Sequence, residues 1–199
     1  MRNKKTVSPE PRDWQAGFRR KAMKILVIDD NATHRAAAIA QLKDHNVTVV
    51  GTYDEGRDIL RKNHDFEVVL ADLLMPASEE NQGPKGRAFL EQEMPVGIFL
   101  ALLAAKNGAK YVAVFTDSDH HSHPASACFD DFNLKGENNP TPFMVEGAKT
   151  LLSNAVSWVN DFRPDDLAEK MSFEEIYKEK KQAVRAKNWL ALFKHLTAM

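Results

Sequence analysis

Short apolar runs alternate with amphipathic stretches from residue 24 onward. "KILVI" (24–28), "VTVVG" (47–51), "EVVLA" (67–71) and "YVAVF" (111–115) are rich in β-branched residues and read as buried strands. Between them, "ATHRAAAIAQLKDH" (32–45) predicts a helix with Ala36, Ile39 and Ala40 on one face, and "EGRDILRKN" predicts a shorter one capped by Asp54. "PVGIFLALLAAKNGA" (95–109) predicts a core helix that stops at Asn107-Gly108. Beyond Thr116 the pattern blurs. Residues 117–140 form a polar loop with one helical turn near Ala125, and "FMVEGAKTLL" is either a hairpin about Glu146-Gly147 or one edge strand. "NAVSWVNDF" (154–162) predicts a short helix ending before Pro164. Ser172 and Glu175 form a capping box, with Met171 and Ile176 as its staple. A helix over 173–196 is expected to follow, with Ile176, Ala183, Val184, Leu190, Phe193 and Leu196 as its apolar stripe.

Apolar strands alternating with helices predict an α/β fold: a doubly wound parallel sheet of about five strands, with an extra C-terminal helix. Three segments are expected: a basic, disordered extension (1–22), an α/β domain (23–162) and a helical tail (163–199). The chain has 199 residues, and 43% hydrophobic content is enough for a substantial core. A net charge of −1 directs it to neither nucleic acid nor a membrane surface. The run "VGIFLALLAA" is too short to span a bilayer, and residues 1–22 lack the apolar stretch of a signal peptide. A single cysteine, Cys128, rules out an intramolecular disulfide framework and fits a reducing compartment, so the cytoplasm is expected.

The chemistry lies where the strands end. Asp29 and Asp30 close the first strand, Asp72 the third and Thr116 the fourth. Ligand sites of open α/β sheets collect at those carboxyl ends. Adjacent carboxylates at the end of a buried strand either both point into solvent or share a cation, and if the first and third strands are neighbours, three of them suit a hard ion such as Mg²⁺.

"KILVIDDN", "VVLADLLMP" and "YVAVFT", in that order, resemble the receiver domain of two-component response regulators, over about Met23 to Val159. The resemblance implies a flavodoxin-like fold with Asp72 as phosphoacceptor. It implies Mg²⁺ held by Asp30, by Asp29 through water, by Asp72 and by the backbone carbonyl of Leu74, with Thr116 contacting a phosphoryl oxygen. It also implies a partner that supplies the phosphoryl group, a sensor histidine kinase or a phosphotransfer protein, and an output through protein contacts.

This chain departs from the family pattern in three places. "EENQGPKGRAFLEQE" (79–93) reads as an insertion. Asp117 stands where the family keeps a small residue, and would repel phosphate or bind metal. The family's lysine, normally before a proline, has no clean counterpart; Lys149 is the nearest candidate and Lys135 the other.

The loop "TDSDHHSHP" offers His121 and His123 as a possible second metal site, against a plain polar loop. Cys128 reads as a small core residue. The tail is basic (Lys178, Lys180, Lys181, Arg185, Lys187, Lys194), but shows no groove-reading helix pair, so docking or a homodimer through that helix is expected rather than DNA binding. The leading expectation is a single-domain response regulator that is not itself an enzyme. The alternatives are a pseudo-receiver without phosphotransfer and a metal-dependent hydrolase using the His-rich loop.

Overall fold

Alternate residues of the strands part to opposite faces of one sheet, and each face is covered. The computed structural model describes residues 21–80, 82–132, 140–154, 158–162 and 184–198. The chain order is β1 (Lys24–Ile28), α1 (Ala32–Gln41), β2 (Asn46–Val50), α2 (Tyr53–Lys62), β3 (Val68–Ala71), β4 (Met75–Pro76), β5 (Glu93–Met94), α3 (Gly97–Lys106) and β6 (Tyr111–Phe115). There follow α4 (Pro124–Ala127), β7 (Phe143–Val145), β8 (Ala148–Ser153), β9 (Val159–Phe162), β10 (Val184–Lys187) and α5 (Trp189–Thr197).

The central sheet runs β2-β1-β3-β6-β8-β7. The first five strands are parallel and β7 is antiparallel to β8. This α/β order is compatible with a flavodoxin-like sheet. Leu26, Ile28, Val69, Ala71, Val112 and Val114 pack with Leu60 of α2 and with Leu100 and Ala104 of α3. Ile25, Val27, Val68, Leu70, Ala113 and Phe115 pack with Ala37 and Ala38 of α1 and with Trp189, Leu192 and Leu196 of α5. Period-two alternation along buried strands thus builds two cores from apolar runs that look uniform in sequence.

Local chemistry sets the element ends. Thr52, not Asp54, caps α2: its hydroxyl accepts from Glu55 N, while Glu55 Oε2 accepts from Gly51 N. Glu146 (φ 51°) and Gly147 (φ 82°) turn the chain between β7 and β8, so "FMVEGAKTLL" is a hairpin. The inserted stretch is closed at its base by β4 pairing with β5. Arg57, with ion pairs to Asp54, Asp58 and Glu80, ties it to α2.

Two expectations fail. Residues 159–162 are strand β9 rather than the end of a helix. The expected helix over 173–196 is interrupted: residues 184–187 are strand β10, antiparallel to β9, and helix begins only at Trp189. Asn188 makes the break, since its side chain accepts from Ala191 N as the α5 cap. The capping box at Ser172–Glu175 and the extension over 1–20 lie outside the described residues. The apolar stripe of α5, including Phe193 and Leu196, is buried against its own sheet, which removes that face as a dimer surface. Among the described residues, no helix is long and apolar enough to cross a membrane.

Candidate functional site

The parallel register brings Ile28, Ala71, Val114 and Leu152 level, so the residues that follow them gather at one sheet edge. Asp29, Asp30 and Asp72 each offer a carboxylate oxygen within 4.8 Å of the others. Asp29 and Asp72 are buried and Asp30 is exposed. Arg35 Nη1 donates to the carbonyls of Asp29 (2.9 Å) and Asp30 (2.8 Å), fixing the acidic pair's backbone. The Asp72 carbonyl is so close to Gly97 that a Cβ there would overlap it, which explains a glycine at the start of α3.

A buried lysine completes the site. Lys187 Nζ lies 2.8 Å from Asp29 Oδ2 and 2.7 Å from Asp72 Oδ1, and no part of its side chain reaches solvent. It enters from the last residue of β10. Its backbone N–H donates to His34 Nδ1 (3.4 Å) and its carbonyl accepts from Gln41 Nε2 (3.2 Å). The rings of Phe115 and Trp189 stand 5.6 and 5.4 Å from the ammonium, giving it cation–π contact inside an apolar shell. Burial alone would lower its pKa, but the charges of Asp29 and Asp72 outweigh that and raise it, so the ammonium persists.

One ammonium does not neutralise three carboxylates. Burial pushes Asp72 up to about 7, with the charges of Asp29 and Asp30 adding to the rise and Lys187 opposing it. Asp30 is also raised, by desolvation and then by Asp29 and Glu93. The oxygen-only donors and the surplus negative charge suit a hard divalent cation.

Above the carboxylates lies a cavity of about 260 Å³, lined among others by Asp30, Asp72, Leu74, Glu93, Thr116, Asp117 and Ser118. Thr116 is buried, and its Oγ1 accepts from Ser118 N at 3.1 Å. Asp117 neither meets Asp72 nor joins the acidic cluster. Its Oδ2 is 3.2 Å from His34 Nε2, and that hydrogen bond holds its carboxyl down at about 2, with Lys187 lending further charge.

Asp29, Asp30, Asp72, Leu74 and Thr116 thus converge as expected. Lys149 does not. It pairs in register with Tyr111 at the opposite end of the sheet, and its Nζ donates to the Ala198 carbonyl at 2.6 Å. Lys135 lies outside the described residues. His121 and His123 do not meet either: His123 Nδ1 accepts from Ala125 N as the cap of α4, whereas His121 faces His120. Cys128 is exposed rather than in the core.

Sequence reasoning missed Lys187 and Glu93. Glu93 is placed by the β4–β5 ladder at the end of the insertion. Lys187 was hidden among the basic residues of an expected helix. The available signal was the alternating "VRAK" directly before Asn188, a helix cap that ends a strand. A scan against family models gives no match for this chain, and no curated protein matches it.

Proposed function

We propose that the chain is a single-domain receiver that accepts a phosphoryl group on Asp72 and signals through protein contacts. The observation that carries this reading is the bridge from buried Lys187 to both Asp29 and Asp72 at the strand end. It supplies, from a different element, the cation for which the family pattern has no clean counterpart in this sequence.

The Asp72 carboxylate is the nucleophile. Its attack on phosphorus forms a P–O bond as the donor's P–N or P–O bond breaks, and the donor departs with the electron pair. Lys187 offsets charge on the incoming oxygens, a charge-assisted contact in a site shielded from water. Thr116 presents a hydroxyl to the phosphoryl group. Asp29, Asp30, Asp72 and the Leu74 carbonyl would hold Mg²⁺, which when bound supplies neutralisation of the phosphoryl oxygens. The donor is a phosphohistidine on a sensor kinase or phosphotransfer protein, or a small acyl phosphate. The protein receives the group and catalyses no turnover of a separate substrate, and its working place is the cytoplasm.

The pseudo-receiver reading draws on Asp117, an anion beside Thr116 that would repel phosphate. Against it, that carboxylate is hydrogen-bonded to His34 of α1 and stands outside the Asp29, Asp30 and Asp72 cluster. Intact-mass measurement after incubation with acetyl phosphate decides between them. One phosphoryl increment that requires Mg²⁺ and is absent from D72A supports the receiver. No increment with acetyl phosphate or a panel of phosphohistidine donors supports the pseudo-receiver.

A further inference from the structure

The loop after β6 holds a second constellation, separate from the carboxylates. Asp119 shapes it: its Oδ1 accepts from His121 N (2.8 Å) and Ser122 Oγ (3.0 Å). Asp130 stands behind His120, with Oδ2 2.6 Å from Nδ1, and Asn154 Nδ2 donates to its other oxygen at 3.1 Å. A carboxylate accepts, so at 2.6 Å Nδ1 is the donor and carries the proton. That tautomer leaves Nε2 as the acceptor nitrogen of His120, turned toward His121. That atom lies 2.8 Å from His121 Nε2, the two rings standing edge to face with centroids 3.9 Å apart.

An imidazole whose Nδ1–H is held by a carboxylate and whose Nε2 is unprotonated is the form that metal ions bind. Metal–nitrogen bonds of about 2.0–2.1 Å at a tetrahedral angle place two nitrogens about 3.3 Å apart. To admit an ion, the rings turn from edge to face until both Nε2 lone pairs aim at it, the nitrogens part from 2.8 Å, and the His121 Nε2 proton moves to its Nδ1 or to water. The geometry points to a site for a borderline divalent transition metal, of the Zn²⁺, Ni²⁺ or Cu²⁺ class, at His120 and His121, with Asp130 orienting His120. Imidazole nitrogen selects these ions over Mg²⁺, while the oxygen donors at the strand ends select the reverse. The rings are partly exposed, which leaves water to complete the coordination. The same loop lines the cavity through Ser118, Ser122 and His123, so an ion here would stiffen the rim of the phosphoacceptor site.

The test is calorimetric titration with ZnCl₂ in saturating Mg²⁺, on the full chain and on H120A, H121A, D130N and H64A. Circular dichroism confirms that each variant is folded. One zinc equivalent is expected, with affinity lost at least about tenfold in H120A and H121A, weakened about 10–100-fold in D130N, and unchanged in H64A. Copper electron paramagnetic resonance on the wild type adds a readout that needs no variant, and should show hyperfine coupling to two nitrogens. Equal zinc affinity in H120A and H121A, absence of binding at millimolar zinc, or an oxygen-only copper spectrum would overturn the assignment.

Discussion

Replacing Lys187 by Met keeps the volume and removes the charge. Each of its two contacts, at 2.8 and 2.7 Å, is a gross attraction of about 6 kcal/mol at an effective dielectric near 20. Most of that is cancelled in the wild type by the desolvation of a fully buried ammonium. The variant keeps the desolvated carboxylates without their counter-charge, and removing one partner of a buried pair costs about 3–5 kcal/mol. For a chain of this size that is a fall of roughly 6–20 °C in Tm. Urea unfolding at pH 8 without metal should show it. At pH 5 the loss should shrink, because the orphaned carboxylates can take up protons. Mg²⁺ at 100 times its Kd should restore about 2.7 kcal/mol. A loss below about 1 kcal/mol that is equal at both pH values and indifferent to Mg²⁺ would refute the buried bridge.

Three other variants probe the same site. D72N should stabilise the metal-free protein at pH 8 by a few kcal/mol and flatten its pH dependence. The wild-type Asp72 is pushed from 3.8 to about 7, so the folded state holds the extra proton between those values and stability falls as pH rises through that window; urea titrations at pH 4, 6 and 8 measure it. G97A forces a Cβ onto the Asp72 carbonyl and should cost about 1–3 kcal/mol in urea unfolding, with slower phosphoryl uptake by intact mass. H34A removes the hydrogen bond that keeps Asp117 near 2, so its carboxyl should titrate closer to 3.8 by NMR; the stability that bond contributes is present above about 3.8 and lost as pH falls toward 2, so the variant should be less stable than the wild type at neutral pH, with the gap closing over that window.

The strands and the acidic edge were legible because their signals are local. An apolar run names a buried strand, and a carboxylate after it names the sheet edge. Thr52 was misread because Asp54, also a good cap, stands two residues further along. Lys187 was illegible for a different reason. It is 115 positions beyond Asp72 and reaches the site by β10, whose partner strand β9 lies more than 20 positions earlier in the chain. A short strand inside a lysine-rich segment carries helix propensity, and tertiary pairing overrides it. The His-rich loop is singled out by composition, but its spacing does not show that Asp130 holds His120 or that Asn154, from beyond β8, holds Asp130.

The central claim is that Asp72 is the residue that takes the phosphoryl group. Borohydride reduction of protein treated with acetyl phosphate and Mg²⁺, followed by peptide mass spectrometry, locates the acyl phosphate directly. The account predicts the mark at Asp72 alone, abolished by omission of Mg²⁺ and strongly reduced in K187M. A mark at Asp30, Glu93 or Asp117, or no mark on any carboxylate, would contradict it.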